Sequence, residues 1–210
     1  MLDWVTISAL ATAIGTLVLA VATFSSVRSA SRAARAAERA LQVGLRPVLL
    51  TSRLNDPEQK IGFQDRKWLK VPGGCGGAEA GDDAVYLGIS LRNVGNGLAV
   101  LHGWRFTPER VTQHVKPDLA EFHRLTRDLY VAAGEYGYWQ GAFRDASDPQ
   151  FEAARDAVKN RQPMTVDVLY GDHDGGQRTI SRFVLLSTDD DRWLVSHARQ
   201  WNLDRPEPRD

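Results

Sequence analysis

Asp172, His173 and Asp174 stand side by side in the stretch GDHDGG, residues 171–176. An imidazole flanked by two carboxylates is a set that could move protons in a hydrolysis. Two aspartates at x+2 spacing also begin a calcium loop. Each constellation is incomplete. Gly176, at the next calcium position, has no side-chain oxygen, and no bidentate Glu follows at the twelfth. A zinc site needs further His or Cys nearby, and none is adjacent. The flanking runs TVDVLY and RTISRFVLL alternate like paired strands, and Asp-Gly between such runs is a hairpin signal. The stretch therefore reads as a hairpin tip, with a hydrolase built on Asp172, His173 and Asp174 as an alternative.

The other candidates are weaker. Cys75, the single cysteine, lies in GGCGG and excludes an intrachain disulfide. A catalytic thiol needs a held geometry and a lowered pKa, so an exposed loop cysteine is expected here. His102, His114, His123, His173 and His197 form no His-x-x-x-His pair or Cys/His cluster. Asp189, Asp190 and Asp191 read as an acidic turn between strands. VGNG, residues 94–97, lacks the full dinucleotide fingerprint and a Gly-Lys-Ser/Thr ending, and reads as a turn that uses the positive φ of glycine. No catalytic, cofactor-binding or metal-ligating set is assigned. Net charge is zero, so no overall field draws the chain to nucleic acid.

The strongest signal lies at the other end. Trp4 to Phe24, WVTISALATAIGTLVLAVATF, is apolar, and no charge occurs between Asp3 and Arg28. About 20 such residues suffice to cross a bilayer as a helix. A signal peptide would place positive charge before the run, whereas here Arg28, Arg32, Arg35 and Arg39 follow it. The positive-inside rule puts that flank in the cytoplasm, so the expectation is a retained single-pass anchor with its N-terminus outside. The Ala- and Arg-rich stretch beyond it should continue the helix to Val43, before Gly44 and Pro47. Alternating steps of three and four pick out Thr6, Ala9, Ala13, Thr16, Ala20, Thr23, Val27, Ala30, Ala34, Ala37 and Leu41. Small residues on one stripe allow close helix association, so self-association through this seam is expected. The four arginines lie off the seam, where they can meet anionic headgroups.

After Pro47 the pattern becomes strand-like. Strands are expected at 48–54, 67–71, 84–93, 98–106 and in LYVAA, EYGYWQGAF, MTVDVLY, QRTISRFVLL and RWLVSHARQWNL. Pro72–Asp83 reads as a flexible loop. Two short helices are expected, at Pro117–Asp128 and at DPQFEAARDAVKN with Asp148 as N-cap and Pro149 as its first residue. Trp68, Trp104, Trp139, Trp193 and Trp201 are expected to fill a core. The fold class is mainly β, a β-sandwich preceded by one long helix. Its parts are a transmembrane helix (1–26), a basic stem (27–46), a β domain (47–204) and a disordered tail (205–210).

Asn93, Gly95, Gly97 and Ala99 form an Asn-x-Gly-x-Gly-x-Ala pattern. With Arg46-Pro47 at the start of the β region and a late hairpin tipped by Asp and Gly, the chain resembles a widespread group of bacterial single-pass membrane proteins of uncharacterised function. The resemblance implies an immunoglobulin-like sandwich on a basic helical stem, and no functional residues. A 21-to-5 excess of Arg over Lys suits a high-GC bacterial genome. The resulting expectation is a non-enzymatic interaction or sensing module on the bacterial cytoplasmic membrane. Its partners would be the bilayer, another copy of itself and a protein of unknown identity, with no cofactor and no nucleic acid. An envelope-facing domain that binds a glycan or another surface ligand, using Tyr138 and Trp139, is the other alternative.

Overall fold

The computed structural model describes residues 3–205, so Met1, Leu2 and most of the predicted tail lie outside the described residues. It divides into two units, Met1–Gly44 and Leu45–Asp210. The first is a single helix, α1 (Trp4–Gly44), one residue longer than predicted. It is long and apolar enough to cross a membrane, and its large side chains Leu10, Leu17, Val21 and Phe24 are exposed. Ser8, Thr12 and Thr16 each donate a 2.9 Å hydrogen bond to a carbonyl one turn back. Their hydroxyls are thereby satisfied within the helix, as an apolar surrounding requires.

The second unit is mainly β, as expected. Its strands are β1 (Leu49–Thr51), β2 (Gln59–Gly62), β3 (Trp68–Val71), β4 (Cys75–Ala80), β5 (Val85–Asn93), β6 (Ala99–Thr107), β7 (His123–Val131), β8 (Tyr136–Phe143), β9 (Met164–Gly171), β10 (Thr179–Ser187) and β11 (Trp193–Asn202). Nine of them form one antiparallel sheet in the order β1-β5-β4-β11-β10-β9-β6-β7, with β8 on the other side of β5. The sheet is strongly curled. The curl turns Val85, Leu87, Ile89 and Leu91 of β5 toward Val166, Val168 and Tyr170 of β9 in one core. Trp139 lies wholly inside it, edge-on to Trp104 at 5.4 Å. Truncating a buried Trp costs about 3–5 kcal/mol, so this ring is among the side chains the fold can least lose. The β2–β3 hairpin closes a second cluster, Ile61, Phe63, Leu69 and Val71, against Tyr86 and Tyr138.

Four local expectations are corrected. Pro117–Asp128 holds only a single 3-10 turn, Leu119–Glu121, before β7 begins. Register along β6 overrides the helical composition there, pairing Trp104 with His123 and Val100 with Tyr130. The Gly-rich loop at Pro72–Asp83 contains β4, which pairs with β5 from Gly76↔Ile89 to Ala80↔Val85. The second helix is α2 (Phe151–Lys159), with Gln150 rather than Asp148 at its N-cap position and no side-chain cap there. Asp148 instead accepts a hydrogen bond from Gln150 N at 2.8 Å, closing a turn ahead of the helix. Four of the five tryptophans in this unit are buried, whereas Trp68 is 63% exposed.

Candidate functional site

GDHDGG is the tip of the β9–β10 hairpin, as its flanks predict. Asp172 builds the turn. Its backbone N donates to Gly176 O (3.2 Å), its carbonyl accepts from Gly175 N (3.2 Å), and its Oδ1 accepts from Gly176 N (2.8 Å). Gly175 adopts φ of 79°, a conformation glycine enters without strain. His173 lies 3.2 Å from Asp174, but both side chains are largely exposed. Nothing buries or orients this pair as a proton relay requires. Among the described residues no group of three or more His, Cys, Asp or Glu could hold a metal ion.

Cys75 is not an exposed loop residue. It is buried at the start of β4, and burial raises its thiol pKa, which keeps it protonated. His102 and His197 sit on β6 and β11, and burial lowers the pKa of both. His123 stacks on Trp104 at 4.9 Å between ring centroids. Trp139 is fully buried and presents no face on which a sugar could stack.

The Asn-x-Gly-x-Gly pattern has a different use from the one its composition suggests. Neither Gly95 nor Gly97 has a positive φ; each is needed for close approach. A Cβ on Gly95 would lie 2.2 Å from Arg46 O, and one on Gly97 would lie 1.7 Å from Leu45 O. Asn93, fully buried, completes the cradle. Its Oδ1 accepts from Val48 N (3.1 Å) and Gly95 N (3.0 Å), and its Nδ2 donates to Gly97 O (2.7 Å) and Val131 O (3.0 Å). All four bonding positions of the amide are used. Leu49 N donates to the buried Tyr170 hydroxyl at 3.1 Å, and Arg46 donates to Thr179 Oγ1 at 3.3 Å. The motif thus fastens the segment that leads into the β unit.

On α1, Ala9, Ala13, Thr16 and Ala20 of the proposed seam line one shallow groove with Val5, Ser8, Thr12 and Leu17. Ala30, Ala34 and Ala37, with Arg28, Arg32, Arg35 and Arg39, lie on the same continuous helix and are exposed.

The outer face of the sheet carries a polar ladder that sequence inspection misses. Strand register sets Arg105 opposite Asp167, Asp167 opposite Arg182, and Arg182 opposite Arg199. Asp167 is buried and receives a two-point fork from Arg182 (Nε–Oδ1 2.7 Å, Nη2–Oδ2 3.0 Å) and a third bond from Arg105 (3.1 Å). Breaking such a buried pair by removing one partner costs about 3–5 kcal/mol. Residues 108–118 cross this face as a strap. The strap is pinned by Thr165, which donates to Glu109 O (2.7 Å) and accepts from Val111 N (3.0 Å), and by Arg182 donating to Gln113 O (3.0 Å). Between strap and sheet lies a cleft of about 330 Å³, walled by Arg110, Thr112 and His114 on one side and Arg182, Ser196 and Arg199 on the other.

No protein-family model matches this chain, and no curated protein does either.

Proposed function

We propose that this chain is a single-pass protein of the bacterial cytoplasmic membrane, of the group that its Asn-x-Gly-x-Gly-x-Ala pattern resembles. Its β unit is an immunoglobulin-like module held in the cytoplasm, and it acts by binding or sensing without catalysing a reaction. The observation that carries this reading is the charge step around α1, with Asp3 before the apolar run and Arg28, Arg32, Arg35 and Arg39 after it. The exposed apolar flank of the helix supports an anchor, because soluble proteins bury such surfaces. The hairpin-tip role of Asp172 and the exposure of His173 and Asp174 favour binding over hydrolysis. Helix pairing through the Ala and Thr groove is part of the same proposal.

Protease protection of a C-terminal tag tests the topology. In right-side-out vesicles the tag should survive until the membrane is opened, and the chain should keep its N-terminal helix. A tag digested in intact vesicles, or a mature chain that lacks the helix, would overturn the proposal.

A further inference from the structure

The cleft between the strap and the β10–β11 hairpin has more positive charge than the fold uses. Arg110, Arg182 and Arg199 line it with His114, and no carboxylate is among its lining residues. Asp167 lies beneath and is already shared by Arg182 and Arg105. Arg199 is set directly opposite Arg182 on the neighbouring strand, and both guanidinium groups lie over the Trp201 ring, at 4.7 Å for Arg182 and 5.5 Å for Arg199. Like charges directly opposite on paired strands are destabilising. Stacking on an indole face offsets part of that cost and fixes the plane of each guanidinium. Arg199 Nε is nevertheless buried with no hydrogen-bond partner among the described residues, which leaves a donor unsatisfied. Arg110 has no ion-pair partner among the described residues.

We propose that this cleft binds a phosphomonoester. A tetrahedral dianion presents oxygens in several directions, so it can accept from the strap and from the sheet at once, whereas a planar carboxylate presents one edge. Arg199 and Arg110 supply the charge-assisted donors from opposite walls. Thr112 and Ser196 add hydroxyls, and Val184 and Leu186 offer apolar floor for the alcohol portion. The volume admits a small organic phosphate rather than the bare ion alone. Arg182 acts as a positioning residue, because its fork on Asp167 and its bond to Gln113 O hold strap and sheet in register. The site belongs to the β unit alone, so the proposal goes beyond the anchoring reading above and does not rest on it.

The test is calorimetric titration of the full chain in non-ionic detergent. The probes are glycerol 3-phosphate, water-soluble dihexanoyl phosphatidic acid and citrate. Glycerol 3-phosphate should bind and raise the unfolding temperature, and binding should weaken as salt rises. Arg110→Ala and Ser196→Asp both change exposed positions, so folding should be unaffected while affinity falls at least tenfold. Arg199→Ala should do the same, and Arg144→Ala, outside the cleft, should leave affinity unchanged. Binding of phosphatidic acid alone, with the same dependence on Arg110, would assign the phosphate to a lipid headgroup and support the site. Binding of neither phosphate, stronger binding of citrate, or affinity indifferent to Arg110 and Ser196 would overturn the proposal, whichever way the topology assay falls.

Discussion

Gly97 and Asn93 carry opposite kinds of necessity at neighbouring positions. At Gly97 the requirement is the absence of a single carbon, since a Cβ would meet Leu45 O at 1.7 Å, and a backbone carbonyl cannot rotate away as a side chain can. At Asn93 the requirement is the presence of a whole amide, because four backbone groups depend on it. Unsatisfied buried backbone groups cost about 1–3 kcal/mol each, and overpacking costs a similar amount. Gly97→Ala and Asn93→Ala should each destabilise the β unit by about 3 kcal/mol or more, a fall of about 6–12 °C in Tm for a chain of this size. Gly81→Ala is the control. Its added carbon would rest at an ordinary 3.5 Å from Ala84 O, and its effect should stay within about 0.5 kcal/mol. Thermal unfolding followed by near-ultraviolet circular dichroism checks all three. A Gly97→Ala chain as stable as the Gly81→Ala chain would refute the cradle.

Among the elements, α1 makes the claim most open to measurement. Ala13 and Ala20 line its groove, where a longer side chain would hold a second helix away. Replacing both with Leu should reduce crosslinked dimer in membranes severalfold, and unchanged dimer would remove the seam. The elements also show what the sequence made legible. The helix and the long strands β5, β6, β9, β10 and β11 were readable because their periodicity is strong and Gly, Pro or Asp residues bound the strands. β4 was not, because Cys75-Gly76-Gly77 has flexible composition and becomes a strand only through pairing with β5 and β11. β7 was readable only at its end, Leu129–Val131 within LYVAA, because His123–Asp128 is mostly exposed and the strand lies at one end of the sheet. The cationic cleft was half legible. Asp167 and Arg182 each interrupt an apolar strand of one hairpin, and counting back from the tip pairs them. Arg199 was hidden behind the irregularity at Arg182/Phe183, which shifts register by one residue.

Across the whole molecule, the boundary at Gly44/Leu45 should be a real one. A chain beginning at Leu45 keeps every bond to Asn93, Tyr170 and Thr179, and it should unfold in one cooperative urea transition. A chain beginning at Ser52 loses β1, takes one of two partners from the Tyr170 hydroxyl and from the Asn93 side-chain oxygen, and leaves β5 without β1 alongside Leu91–Asn93. Its midpoint should fall below that of Asn93→Ala; an equal or higher midpoint would show that β1 contributes nothing beyond that amide. Cys75 has a practical consequence at this scale. The sole thiol of 210 residues is buried and kept protonated, so it is shielded from maleimides in the folded chain. Any cysteine introduced at an exposed position, on the stem or at the hairpin tip, then becomes the one reactive handle. A spin label or fluorophore can be placed at a chosen site without first removing a native residue.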